Sequence, residues 1–399
     1  MKNPTESQRT ALQKRAEAVA RRLGASCRQG GGLSPGGRAA VEREAARILR
    51  GGRAVGASLV LVQGGREEVF CFGLARRRPR MPVTPETCFR VASVTKTALA
   101  LGFLAAAERG LLALDADISA LLGYKARNPR FPDSPVTPRM LLTHTAGLRD
   151  EGPYLALDPE RPPALREFLR DAACWTDTAP GASFRYSNLG AGVAGVVLER
   201  ALNLPLDEAM RVLLFDSLGI RAALDPRRIS PTRDLACGYR VYPLLPPRLR
   251  YDAPRLAARP SAPFDPERDV FAGAGRMLTD SHGAAALLRL LCQGADTPAL
   301  SSASLREMYT LQDGKGGVRL AGRTLGAAAL PGVFPGFAPF GHQGVAYGMC
   351  AELFFDPAAG CGAALMTSGL RLDRRAEPLV APAFDLLALA FSALRAPER

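Results

Sequence analysis

The sequence predicts a mixed α/β protein in which one sheet is built from both ends of the chain and a helical region is inserted between them. Strand-forming runs occur early, at Ala57-Ser-Leu-Val-Leu-Val62 and Glu68-Val-Phe-Cys-Phe72. They return in the last third, at Gly317 to Leu320, Gly348 to Phe355 and Gly362 to Thr367. The stretch between is helix-prone and punctuated by proline and glycine. With 399 residues and 47% apolar content, the chain can bury one large core or two moderate ones. The expected division is an N-terminal helical extension and Gly-rich linker over 1–37, a sheet domain from 38–110 and 266–399, and a helical domain over 111–265.

Each element has its own signal. Residues 4–24 have helical periodicity and run into a Gly-rich stretch from Gln29 to Gly37, so this first helix reads as an appendage on a flexible linker. Arg38 to Arg50 is amphipathic, with Val41, Ala45 and Ile48 on one face. The first two strand runs are joined by a turn containing Gln63-Gly-Gly65, a hairpin signal. An Ala/Leu-rich helix follows Thr95 and is stopped by Gly110. Pro138 to Leu142 and Gly190 to Ala201 are helical. Residues 225–265, rich in proline and arginine without periodicity, read as a long surface excursion. Thr279-Asp280 opens a helix ending near Cys292, and a last amphipathic helix runs from about Pro382 to Leu394.

Composition narrows the function classes. No apolar run approaches the ~20 residues that cross a bilayer. Met1 to Ala25 is polar and carries Arg9, Arg15, Arg21 and Arg22 in place of the apolar centre of an export signal, so a cytoplasmic location is expected. The eight cysteines form no C-x-x-C pair, and no His/Cys spacing suits zinc; neither a metal nor another cofactor is expected. With Asp356 to Gly360 as a hairpin loop, Phe355 would face Cys361 and Cys350 would face Met366, too far for a disulfide. Reduced, mostly buried thiols are expected. The net charge of +14 is spread along the chain, with one dense patch at Arg76-Arg77-Arg78-Pro79-Arg80. Without a nucleic-acid-binding motif this reads as a solvated face, and no nucleic-acid or membrane partner is expected.

Three constellations carry chemistry. Ser93 and Lys96 are one helical turn apart, so the amine reaches the hydroxyl. The field at a helix N-terminus favours a developing anion, and a neutral lysine there is a competent base for a serine nucleophile. Lys96 is one of only five lysines in an arginine-rich chain. Tyr186-Ser187-Asn188 supplies a hydroxyl that can relay a proton and an amide that can meet both a lysine and a substrate carbonyl; a buried tyrosine beside a helix cap is the plainer alternative. Gly341-His342-Gln343-Gly344-Val345 precedes a strand, and a backbone N–H there, paired with that of Ser93, would form an oxyanion hole.

The order of these elements resembles the serine β-lactamase and penicillin-recognising superfamily, on its class C side. The resemblance rests on Phe89-Arg-Val-Ala-Ser-Val-Thr-Lys96, Leu141-Leu-Thr-His-Thr-Ala-Gly-Leu148, Pro180-Gly-Ala-Ser-Phe-Arg-Tyr-Ser-Asn188, Ala272-Gly-Ala-Gly-Arg-Met-Leu-Thr-Asp280 and Gly341-His-Gln-Gly344. It spans about residues 38 to 395. It implies an antiparallel sheet flanked by helices plus an inserted all-helical domain, with the site in the cleft between them. It further implies Ser93 as nucleophile, Lys96 and Tyr186 as the proton-transfer pair, and the N–H groups of Ser93 and Val345 as the oxyanion hole. Asn188, His342, Gln343 and Gly344 would bind substrate, and His144 would pack helix ends. One departure stands out: the third motif is His342-Gln343-Gly344, where β-lactamases carry Lys-Thr-Gly. An imidazole and an amide hold a carboxylate less well than an ammonium and a hydroxyl. The expectation is therefore hydrolysis of a small-molecule ester, amide or D-amino-acid peptide ahead of β-lactam turnover. Acyl transfer shares the first half-reaction, and a catalytically inactive binding protein on the same fold is the alternative from another class.

Overall fold

The computed structural model describes residues 6–23, 28–29, 32–152, 154, 164–242, 244–260, 264–266, 270–312, 323–372 and 379–394. An antiparallel sheet organises it. In chain order its strands are β1 (Gly56–Gln63), β2 (Arg66–Arg76), β3 (Met81–Pro82), β4 (Arg323–Thr324), β5 (Ala327–Ala329), β6 (Phe340–Ala346), β7 (Met349–Asp356) and β8 (Cys361–Ser368). In space they run β4-β5-β6-β7-β8-β1-β2-β3. Both ends of the chain meet at the β8–β1 pairing, which runs from Cys361 opposite Gln63 to Ser368 opposite Gly56. β1 turns into β2 through Gly64 and Gly65, both at positive φ, which is what a two-residue hairpin turn demands.

The long helices are α1 (Glu6–Leu23), α2 (Pro35–Gly51), α3 (Thr95–Glu108), α4 (Asn188–Leu202), α5 (Ser281–Gln293) and α6 (Ala383–Ala393). Strand alternation sorts the apolar residues between two layers. Val60, Val62, Ala351, Leu353, Phe355 and Met366 share a core with α3 and α5. Leu59, Leu61, Cys350, Phe354, Ala363 and Leu365 face α1, α2 and α6. Val41, Ala45 and Ile48 of α2 are buried as their spacing requires. No single helix among the described residues is long and apolar enough to cross a membrane.

Several expectations change. α1 is no appendage: Leu12, Ala16, Val19 and Leu23 are buried in the core they share with α2 and α6. Arg15 Nη2 donates to Asp385 Oδ2 of α6 at 2.8 Å. The β7–β8 register is one residue off the sequence reading, pairing Asp356 with Cys361 and Cys350 with Thr367. Asp356 stays in the ladder while its Oδ1 accepts the N–H groups of Ala358 and Ala359, each at 3.1 Å, which shortens the loop. The seven cysteines among the described residues are thiols outside any disulfide, and Cys27 lies outside the described residues.

The excursion at 225–265 is more ordered than its composition suggests. It holds a short hairpin, Gly238–Arg240 against Arg248–Tyr251, and buries Leu235, Ala236 and Ala253. Part of the basic patch fastens it. Arg76 Nε donates to Leu235 O at 3.0 Å, Arg76 Nη2 to Thr232 O at 2.6 Å, and Arg77 Nη1 to Pro247 O at 3.0 Å. The strand expected at Gly317 to Leu320 lies outside the described residues.

Candidate active site

Ser93 sits in a 3₁₀ turn, Ala92–Val94, that feeds directly into α3. Ala92 has φ +46°, a left-handed conformation costing an alanine roughly 1–2 kcal/mol. Thr95 holds this turn in place: its Oγ1 donates to Ala92 O at 2.6 Å and accepts Met277 N at 3.0 Å. The turn therefore presents Ser93 at a helix N-terminus in one orientation.

Lys96, one turn on, is buried. Its Nζ lies 3.2 Å from Ser93 Oγ, 3.0 Å from Asn188 Oδ1 and 2.5 Å from Ala274 O. Two of these neighbours are carbonyl oxygens, which only accept. Nζ donates to all three oxygens, which match the three N–H bonds of an ammonium. When that ammonium gives up one proton, keeping its two remaining N–H bonds on the carbonyls turns the lone pair toward Ser93 Oγ. Tyr186 Oη donates to the same Ser93 Oγ at 2.9 Å.

Tyr186 and Asn188 are set by the start of α4. Ser187 caps the helix, accepting Gly190 N at 2.9 Å. A carboxylate missed in the sequence, Asp150, gathers four donors here. Ser187 Oγ and Leu189 N reach its Oδ1, and Asn188 N and Nδ2 reach its Oδ2, each at 2.9 Å. An acidic side chain suits a helix N-terminus, but only the fold brings residue 150 to residue 188. His144, at φ +57°, accepts Ser187 N on Nδ1 at 3.3 Å. Its ring packs 4.5 Å from that of Tyr186, the packing role expected of it.

β6 closes the other side. A Cβ added at Gly344 would lie 2.3 Å from Val91 O and 2.6 Å from Ser93 N, so glycine is what allows the strand to approach the serine turn. His342 shares this face: its ring lies 6.0 Å from that of Tyr186, and its Nδ1 is 2.7 Å from Gln343 O. Gln343 does not join them. Strand alternation turns it to the opposite face, where Nε2 donates to Glu352 Oε1 at 2.5 Å. The expectation that Gln343 binds substrate is corrected accordingly. Glu352 is fully buried, and desolvation pushes its carboxyl up to about 8. Its Oε2 has no hydrogen-bond partner among the described residues. Val345 follows Gly344 directly on β6. Among the described residues, no group of three or more His, Cys, Asp or Glu could hold a metal ion.

A serine bonded to both a lysine and a tyrosine, set between an antiparallel sheet and a helical region, marks the class of β-lactamase-fold proteins. A family model described as beta-lactamase matches residues 40–384, and the chain belongs to that family. It is 38% identical over 192 residues to the esterase EstB of Burkholderia gladioli, covering 44% of this chain and 48% of EstB. It is 28% identical over 167 residues to a beta-lactamase of Providencia stuartii, covering 42% of this chain and 41% of that protein. The chain thus spans less than half the length of these curated relatives. Among solved structures, EstCE1, titled a hydrolase with promiscuous acyltransferase activity, superposes with a TM-score of 0.70 at 23% identity. That match covers 98% of this chain and 100% of EstCE1, and it shows the shared fold.

Proposed function

We propose that this protein is a serine hydrolase of the esterase or D-amino-acid peptidase type, cleaving a small-molecule ester or amide through an acyl-enzyme on Ser93. The observation that carries this is the surround of Lys96, whose Nζ meets Ser93 Oγ and two carbonyl oxygens, so that an amine that has given up a proton while holding both carbonyls turns its lone pair to the Ser93 hydroxyl. Lys96 takes the Ser93 proton as Oγ bonds to the substrate carbonyl carbon. The backbone N–H groups of Ser93 and Val345 receive the resulting oxyanion. As the carbonyl re-forms, the bond to the leaving group breaks and Tyr186 Oη passes a proton to it, drawing a replacement from Lys96. Water then gives up a proton to the same pair, attacks the acyl carbon and releases the acid, and Ser93 recovers its proton.

Ester or amide cleavage is favoured over β-lactam turnover by the third motif. His342 stands where an ammonium would hold a substrate carboxylate, and Gln343 is committed to Glu352 on the far face. The esterase EstB, at 38% identity over its aligned part, supports the same reading. The test is hydrolysis of a short-chain p-nitrophenyl ester by the protein and by Ser93→Ala, with a fluorophosphonate used to label the nucleophile. The variant is expected to lose activity by about 10³-fold or more and to escape labelling. Equal activity in the two proteins would remove Ser93 from the mechanism.

A further inference from the structure

We propose that Asp150 is a positioning residue that aims the lone pair of Lys96 at Ser93 by locking the Asn188 amide in one orientation. This rests on the reading of Lys96 as the base. An asparagine amide is nearly symmetric in shape but opposite in chemistry at its two ends. Turned one way it offers Lys96 an acceptor. Turned the other way it offers an N–H, which would bind the lysine lone pair and leave Ser93 without its base.

The choice between the two is made 2.9 Å away, where Asn188 Nδ2 meets Asp150 Oδ2. An ionised carboxylate only accepts, so the amide must present its NH₂ group to Asp150 and its oxygen to Lys96, at 3.0 Å. Asp150 cannot swing away to release the lock. Its two oxygens also take Ser187 Oγ, Asn188 N and Leu189 N, all at 2.9 Å, at the positive end of α4. The direction of the acceptor therefore passes from the helix terminus through Asp150 and Asn188 to the amine.

The lock also engages one of the two Asn188 amide hydrogens, leaving the other for a substrate carbonyl. Asp150 touches neither Ser93 nor Lys96 by any hydrogen bond in the structure, so it acts through Asn188.

The experiment is a double-mutant cycle on ester hydrolysis with Asp150→Asn, Asn188→Ala and the pair. Rates are expressed per site titrated by fluorophosphonate, so that unfolded protein is not counted. Asp150→Asn keeps the size of the side chain but can both donate and accept, which removes the directionality. It is expected to lower kcat about 10–100-fold with KM within about threefold. In the Asn188→Ala background the same change is expected to cost less than about threefold, because the amide it orients is gone. Two outcomes overturn the proposal. One is an Asp150→Asn enzyme whose kcat per titrated site stays within about twofold of the parent; the other is a pair of fold-losses that simply multiply. A role confined to capping α4 would lower the melting temperature and the titrated fraction while leaving kcat per titrated site unchanged. Failure of the parent protein to label at Ser93 would strike the proposed function itself and is read before the cycle begins.

Discussion

Gly344→Ala is a one-methyl test of how closely β6 and the Ser93 turn must meet. The added Cβ would face Val91 O at 2.3 Å, Ser93 N at 2.6 Å and the Ala92 carbonyl carbon at 3.1 Å. All three are backbone atoms, so no side chain can rotate aside to make room. Relief requires the strand and the turn to part by about 1 Å, a displacement that typically costs about 100-fold when it falls at reacting groups. The same figure follows from the oxyanion side, where losing one donor lowers kcat by about 10²–10³. The expected result is a kcat about 100-fold lower, equivalent to about 2.7 kcal/mol of activation free energy. The assay is p-nitrophenyl ester hydrolysis per titrated site, with thermal melting run alongside. Overpacking is expected to lower stability by about 1–3 kcal/mol without abolishing the fold. A folded Gly344→Ala protein with kcat within about threefold of the parent would refute the assignment of this contact to the reaction.

Glu352 gives a pH-dependent expectation. Burial raises its pKa from 4.5 to about 8, so the fold holds a proton that the unfolded chain has released between those values. Its contribution is fully present below about pH 4.5, is lost as pH climbs to about 8, and is flat above. Glu352→Gln keeps an acceptor for Gln343 Nε2 and removes that loss, so its melting temperature relative to the parent should rise from pH 5 to pH 8.5. A constant offset across that range would contradict the buried neutral acid. Leu12→Ala in α1 should cost about 2–3 kcal/mol, read from the urea midpoint with an unchanged slope. A cost under about 0.5 kcal/mol would mean that α1 contributes little to the core.

What the sequence made legible was whatever had a local cause. Gly64-Gly65 announces the β1–β2 hairpin because both positions need positive φ, and the Val41, Ala45, Ile48 spacing announces α2. Ser93 and Lys96 are legible for the same reason, their separation being set locally by the 3₁₀ turn that runs into α3. What failed depended on a single residue of phase or on tertiary partners. Asp356 reads as a turn residue, yet it stays in the ladder because its side chain serves the turn, and the β7–β8 register shifts by one. Gln343 shares a motif with His342 and Gly344, yet alternation sends it to the other face. Asp150 has no spacing that marks it, since its four donors arrive only when α4 docks. The hairpin within 225–265 lacks periodicity of its own and is fastened by Arg76 and Arg77 from another part of the chain.

The pairing of β1 with β8 also sets a timetable for the nascent chain. Its two strands are separated by about 300 residues, so when β1 leaves the ribosome its hydrogen-bonding partner has yet to be made. The β1–β2 hairpin must wait with one long apolar edge open while the helical region is synthesised. Synthesis at about 5–20 residues per second makes that wait roughly 15 seconds to a minute. In that interval an exposed strand edge can pair with the same edge on another chain. Expression yield should therefore depend on what shields that edge during translation as much as on the stability of the finished protein.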